Sequence, residues 1–359
     1  MPRPLIPDHI LEIPPYPRGK PWRGLEEVRL SANENPLGPP PKALEEIRSS
    51  LAALHRYPDG LAEVLKEELA QYLGLDPANL ALGNGSNEVI EMAVKVFLRD
   101  GEEVVLPAPS FAYYGIAVKA RGGKCIEVPL RDFRIDLEAM ARAVTPRTRL
   151  IFLGNPNNPT GTIFGLEEFK AFLEEVPEEV VVVVDEAYGE FVAAEHYPSF
   201  RDYLEMDRWI LSLRTFSKFF GLAGLRVGYG IGRGELVELL ERVHQPFNVN
   251  LLGIAGAIGA LKDREFQERT RRVVAEGKDF LTAAFEELDI PFVASEANFF
   301  LFYAGERKGK LLEYLEREGV VVRDMEGYGL GGYLRVSVGL PEENRRFVEV
   351  LKAWKAREG

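Results

Sequence analysis

Val180-Val181-Val182-Val183-Val184-Asp185-Glu186-Ala187-Tyr188 decides how this chain folds. Five successive valines leave no polar face, so the run reads as a β-strand buried on both sides at the centre of a sheet. A carboxylate follows the last valine directly, and a phenol stands three residues beyond it. Outward from this point, short apolar runs recur at 104–106, 126–128, 150–153 and 210–213, most of them separated by amphipathic stretches long enough for a crossover helix. One further stretch places Leu61, Val64, Leu65, Leu69 and Leu73 at helical spacing and closes on Gly74. The alternation predicts an α/β fold with a mostly parallel central sheet covered by helices on both faces. Ligands of such sheets lie beyond the carboxyl ends of the strands, which is where Asp185 emerges.

Either side of this sheet the pattern changes. Residues 1–41 carry many prolines and read as an extended arm, because proline fixes φ and removes a backbone donor. After about residue 260 comes a long charged helix near 262–287. Strands at 292–293, 299–302, 320–322 and 333–338 follow, with a helix near 309–318 between the second and third. The expected organisation is an arm (1–41) packed with a small α+β domain (261–359), and a large ligand-binding domain (42–260).

The 359 residues include 44 basic and 56 acidic side chains, a formal charge of −12, which argues against a nucleic-acid partner. No long apolar window suggests a membrane span or a secretory signal, so a cytoplasmic protein is expected. The single cysteine, Cys125, leaves no internal disulfide, and the four histidines lack metal-ligand spacing, so no metal is expected.

The chemistry centres on Thr215-Phe216-Ser217-Lys218. Taken singly, a lysine is a solvated surface charge. Lys218, however, stands among Phe216, Phe219, Phe220 and Leu222, and apolar surroundings lower an amine's pKa and free it for attack on a carbonyl. Gly83-Asn84-Gly85-Ser86-Asn87-Glu88 precedes an apolar helix at 89–98, and such a turn offers backbone N–H groups to an anion. Thr215, Ser217 and Arg226 would complete a phosphate cradle. Asp185 could keep a pyridine nitrogen protonated, Tyr188 could donate to a ring oxygen, and Phe111 could stack on the ring. Asn158, in the rigid turn Asn155-Pro156-Asn157-Asn158-Pro159-Thr160-Gly161, could contact both the ring oxygen and a substrate anion. Together these groups point to pyridoxal 5′-phosphate. Arg323 and Arg335, each on a short apolar strand of the small domain, are candidates for an anion clamp. Gly228-Tyr229-Gly230-Ile231-Gly232-Arg233-Gly234-Glu235 misses the dinucleotide G-x-G-x-x-G spacing and reads as a glycine-rich turn.

These motifs resemble the fold-type I, class I/II pyridoxal-phosphate aminotransferases, and within them the histidinol-phosphate aminotransferases. The resemblance spans nearly the whole chain. It begins in the arm at Pro15-Tyr16-Pro17-Arg18-Gly19-Lys20-Pro21 and Ser31-Ala32-Asn33-Glu34-Asn35-Pro36. It continues through Arg56-Tyr57-Pro58-Asp59 and the site motifs to Leu334-Arg335-Val336-Ser337-Val338-Gly339. It implies Lys218 as the Schiff-base lysine, Asp185 at the ring nitrogen, and Tyr188 and Asn158 at the ring oxygen. Thr215, Ser217 and Arg226 would hold the phosphate, near Gly85, Ser86 and Asn87. It also implies a homodimer with shared sites, in which Tyr57 reaches the neighbouring subunit's cofactor phosphate. Tyr16, Arg323 and Arg335 would grip the anionic end of an amino donor or 2-oxo acid. Two departures from the pattern are Asn87, where many relatives carry aspartate, and Tyr-Pro-Arg-Gly in place of the commoner Tyr-x-Pro-Gly. The implied reaction is amino transfer between histidinol phosphate and 2-oxoglutarate, as in histidine biosynthesis. Aromatic or broad-range amino-acid aminotransferases and threonine-phosphate decarboxylases share the same anchors, and a non-catalytic cofactor-binding regulatory domain is a more remote reading.

Overall fold

The structure, a computed structural model, describes residues 5–13 and 27–358. Thirteen strands among these residues fall into three sheets. β1 (Val28–Arg29) belongs to the smallest of them. The largest sheet contains β2 (Leu80–Gly83), β3 (Glu103–Ala108), β4 (Lys124–Pro129), β5 (Thr148–Gly154), β6 (Val181–Asp185), β7 (Ile210–Thr215) and β8 (Gly228–Ile231). The C-terminal part supplies β9 (Phe292–Val293), β10 (Phe299–Tyr303), β11 (Val320–Val321), β12 (Arg323–Asp324) and β13 (Tyr333–Ser337).

The large sheet runs β2-β8-β7-β6-β5-β3-β4. Its pairings are parallel from β4 through β7, and β8 and β2 close one edge antiparallel. The expected α/β architecture is therefore present, and the valine strand sits at its middle. Val182 and Val184 point into one apolar core and Val181 and Val183 into the other. That alternation is why the run needs no polar residue: helices cover both faces. In register, Asp185 pairs with Gly154 on one side and Leu213 on the other, so β5 and β6 end at the same level and β7 runs two residues further, to Thr215.

One sequence expectation is overturned at the sheet edge. Gly228-Tyr229-Gly230-Ile231 is a buried strand, not a turn. Its glycines answer to tertiary neighbours. A β-carbon on Gly228 would collide with the backbone of Ser86, and one on Gly230 would come within 2.9 Å of both Leu211 and Val89. The proline-rich arm also contains a helical turn, Asp8–Leu11, which begins just after Pro7 where no further proline blocks it.

The smaller four-stranded sheet runs β12-β13-β10-β9, all antiparallel. Helices Arg264–Glu287, Lys308–Arg317 and Pro341–Glu358 accompany it. Phe285 anchors its core, with ring centroids of Phe292, Phe302 and Phe300 within 5.9 Å. β1 pairs in parallel with β11 and Leu30 joins the same core, so residues 28–30 pack with the C-terminal unit.

Helix Leu251–Lys262 precedes the long charged helix and packs on Pro41–Ser50. Gly256 and Gly259 face that helix, against Ile47 and against Lys42 and Ala43, which lets two backbones approach closely, while Gly253 packs on Val227 and Leu225. A β-carbon at Gly259 would lie 2.5 Å from the Lys42 carbonyl oxygen and 2.7 Å from Ala43 Cα. Gly259→Ala should therefore destabilise the protein by about 1–3 kcal/mol. Urea unfolding would measure this, and an unchanged midpoint would contradict the packing described.

Candidate active site

A cavity of about 280 Å³ opens where β5, β6 and β7 end, and segments from both sheets wall it. Ser86 and Asn87 form one end as the first residues of helix Ser86–Phe97, whose opening N–H groups have no helical acceptor. Gly85 precedes them at φ +74°, and a side chain there would run into the Arg226 guanidinium. Arg226 itself holds a left-handed φ of 56°, and its Nη1 donates to Ser217 Oγ at 3.3 Å and to the Ala223 carbonyl at 3.2 Å. Thr215 Oγ1 donates to Ser217 Oγ at 3.0 Å. Backbone amides, hydroxyls and one guanidinium thus converge on a space suited to a phosphate.

Asp185 lies across the cavity, buried, with Oδ1 accepting the Ala187 N–H at 3.1 Å and Oδ2 accepting the Tyr114 hydroxyl at 2.7 Å. Burial pushes its carboxyl up to about 6, against the lowering pull of those two hydrogen bonds. Such a carboxyl gains by meeting a cationic N–H. Phe111 also lines the cavity, its ring edge-on to Tyr114 with centroids 5.5 Å apart.

Lys218 stands between the two ends. Its half-buried side chain lines the cavity, and Nζ donates to the Ala32 carbonyl at 2.9 Å. Desolvation first, then the positive charges of Arg335 and Arg226, lower its pKa to about 8, while Glu34 and Asp185 oppose the fall. A useful fraction of the amine is then neutral near pH 7–8, as nucleophilic attack requires.

Tyr188 Oη receives Asn33 Nδ2 at 3.0 Å and Asn158 Nδ2 at 3.4 Å. Burial raises its pKa to about 12 despite the nearby Arg335. Arg335 Nη1 donates to Asn158 Oδ1, Nη2 donates to the Ser31 carbonyl at 3.1 Å, and the guanidinium lies 5.1 Å over the Phe299 ring. Arg323 is its register partner across β12 and β13, and both line the cavity. Directly paired residues share a sheet face, so the two cations face one space.

The candidates read from the sequence thus converge, with three exceptions. Gly85 backs the cradle without lining it. Tyr57 is exposed and stacks on Phe247 with centroids 4.5 Å apart, away from the cavity lining. Tyr16 lies outside the described residues. Sequence reasoning missed Tyr114 and Tyr328 as lining residues, and reached Asn33 only as part of the chemistry-capable stretch Asn33-Glu34-Asn35, with no role given. Tyr114 looks like one more apolar residue in Phe111-Ala112-Tyr113-Tyr114. Asn33 carried a usable signal, a polar Asn-Glu-Asn between apolar and proline-rich stretches. Among the described residues, no group of three or more His, Cys, Asp or Glu side chains could hold a metal ion.

The model of the family described as aminotransferase class I and II matches residues 26–351. The chain belongs to that family. It is 44% identical to the histidinol-phosphate aminotransferase of Moorella thermoacetica, over 96% of this chain and 91% of that one. It is also 44% identical to the histidinol-phosphate aminotransferase of Symbiobacterium thermophilum, over 96% and 97%. Among solved structures, the Sinorhizobium meliloti histidinol-phosphate aminotransferase in complex with pyridoxal-5′-phosphate superposes with a TM-score of 0.84 at 27% identity, covering 91% of each chain. The enzyme of that name from Clostridium acetobutylicum also gives 0.84 at 27% identity, over 92% of this chain and 99% of that one. The fold expected of this aminotransferase, including the mostly parallel sheet, agrees with those neighbours.

Asp185 offers a test on the cofactor-free protein. Its folded pKa lies above the ordinary 3.8, so the folded state holds this proton more tightly than the unfolded chain does. Its contribution is therefore most favourable below about pH 4 and is lost as pH rises through 6. In Asp185→Asn the amide carries no charge at any pH, and the Tyr114 hydroxyl can rotate to accept from it. Between pH 4.5 and 7.5 the stability of Asp185→Asn should rise relative to wild type by about 2–3 kcal/mol. Urea unfolding at the two pH values reads this difference; a gap that does not change with pH would contradict the buried-carboxyl reading.

Proposed function

We propose that this enzyme transfers the amino group between L-histidinol phosphate and 2-oxoglutarate, giving imidazole acetol phosphate and glutamate in histidine biosynthesis. It is an aminotransferase, and its cofactor is pyridoxal 5′-phosphate. The donor set fits that group. Ser86, Asn87, Thr215, Ser217 and Arg226 match a phosphate, Asp185 a ring nitrogen, and Tyr188 with Asn158 a ring oxygen.

When bound, pyridoxal phosphate supplies an amine-reactive aldehyde and an electron-withdrawing ring. Lys218 contributes an amine neutral enough to attack a carbonyl, and its Nζ can hold and return a proton. Asp185 keeps a proton on the ring nitrogen, and Tyr188 donates to the ring oxygen. Arg323 and Arg335 orient the substrate's anion. The single observation that carries the substrate assignment is this cross-strand pair of guanidinium groups lining the same cavity as the lysine. A guanidinium binds phosphate and carboxylate alike, as a shared pocket for histidinol phosphate and glutamate demands. The names carried by relatives at 44% identity support the same reading.

We also propose a cytoplasmic homodimer with shared sites, the large domain at 42–260 and the arm (1–41) with the small domain at 261–359. Leu51, Leu54, Tyr57, Val64 and Phe247 are exposed apolar residues, which supports an interface there with Tyr57 reaching across.

Incubation with 2-oxoglutarate and either histidinol phosphate, phenylalanine or phosphothreonine tests the assignment. Amino transfer should be fastest from histidinol phosphate; release of carbon dioxide from phosphothreonine without amino transfer would overturn it. Arg335→Ala should raise KM for histidinol phosphate and glutamate together, by about tenfold or more. Loss of glutamate binding alone would rule out a shared anion pocket.

A further inference from the structure

Asn33 lies in a strap, residues 31–35, that crosses the cavity and touches both structural units. Its backbone takes a left-handed φ of 55°, a conformation that asparagine and aspartate tolerate better than most residues. Its side chain is buried, with each end committed to a different partner. The backbone N–H donates to Ser337 Oγ at 2.8 Å, and the Ser337 hydroxyl proton goes to Asn33 Oδ1 at 3.1 Å. The Nδ2 end is left facing Tyr188 Oη at 3.0 Å.

Asn158 also faces this phenol, with its orientation equally determined. Its Oδ1 accepts from Arg335 Nη1, and a guanidinium can only donate. Its Nδ2 must therefore be the end that faces Tyr188 Oη, 3.4 Å away. Two N–H groups thus occupy the acceptor positions of one phenol oxygen. The hydrogen of Tyr188 has nowhere to point but into the cavity.

We propose that Asn33 is a positioning residue. It makes Tyr188 a one-way donor, so that the phenol binds an electron-rich oxygen in the cavity and does not accept from a ligand hydroxyl. Ser337 and Arg335 both lie on β13, so the small sheet sets this orientation through two amides. Tyr188 is in donor form only while β13 is seated against the strap and the turn that carries Asn158. The assignment rests on the pyridoxal-phosphate reading above, because the ring oxygen is the acceptor that Tyr188 would meet.

The visible absorption of the bound cofactor changes with pH at a midpoint that responds to hydrogen bonds on the ring oxygen. Asn33→Asp preserves backbone and shape but presents an acceptor to Tyr188, which turns its proton away from the cavity. The midpoint should move by about one pH unit, in the same direction as in Tyr188→Phe. Combined with Tyr188→Phe, Asn33→Asp should shift the midpoint by much less than it does alone, because the part that acts through the phenol is lost and only the direct effect of the new charge remains. Ser337→Ala removes the proton that orients Asn33 and should give a smaller shift of the same sign. An unmoved midpoint in folded, cofactor-loaded Asn33→Asp protein would overturn the assignment, and so would a shift that persists undiminished without the phenol. Wild-type protein that takes up no pyridoxal phosphate would show no band at all, and that separate failure would remove the cofactor reading together with this one.

Discussion

A primary amine desolvated in a cleft beside two guanidinium groups loses part of its hold on its proton, and the surrounding structure serves that loss. Lys218 sits at this point, with Arg335 and Arg226 both disfavouring its charge. Neither arginine is there by local accident. Arg226 is placed by a left-handed turn after β7 and packs against a glycine that leaves it room. Arg335 reaches across from the other sheet and is tied to Ser31 and Asn158. The charges suited to holding anions at the two ends of the cavity add to the desolvation that lowers the amine's pKa. One electrostatic arrangement thus performs two tasks.

A second polar system lies beneath the site. Glu186, fully buried, accepts from Arg214 at 3.2 Å and from Ser212, while the Tyr197 hydroxyl bridges it to the Asn155 carbonyl. The Asn155 N–H in turn donates to the Asp185 carbonyl at 2.9 Å. A buried ion pair of this kind adds little net stability, yet removing one partner is costly, so it behaves as a clamp on geometry. Here it joins the loop after β6 to the turn after β5, which fixes Asp185 relative to Asn158.

Much of this was legible in the sequence because reactive residues sit at strand ends, and the strands announce themselves by apolar runs. Val182 and Val184 on one face and Val181 and Val183 on the other bear out a strand buried on both sides. The antiparallel edge was not legible. β8 consists of Gly228, Tyr229, Gly230 and Ile231, and glycine has poor strand propensity, so only contact with Ser86, Leu211 and Val89 explains it. Tyr114 was hidden for another reason. Its ring packs on Phe152 with centroids 4.8 Å apart, and only its oxygen takes part in the site. Asn33 was visible as a polar residue, but its role depends on Ser337, which lies far away in sequence near the other end of the chain.

The most direct measurement is reduction of the pyridoxal-phosphate-loaded protein with borohydride, followed by peptide mass mapping. A single pyridoxyl adduct on Lys218 is the predicted result. An adduct on any other lysine, or none at all, would contradict the placement of the reactive amine.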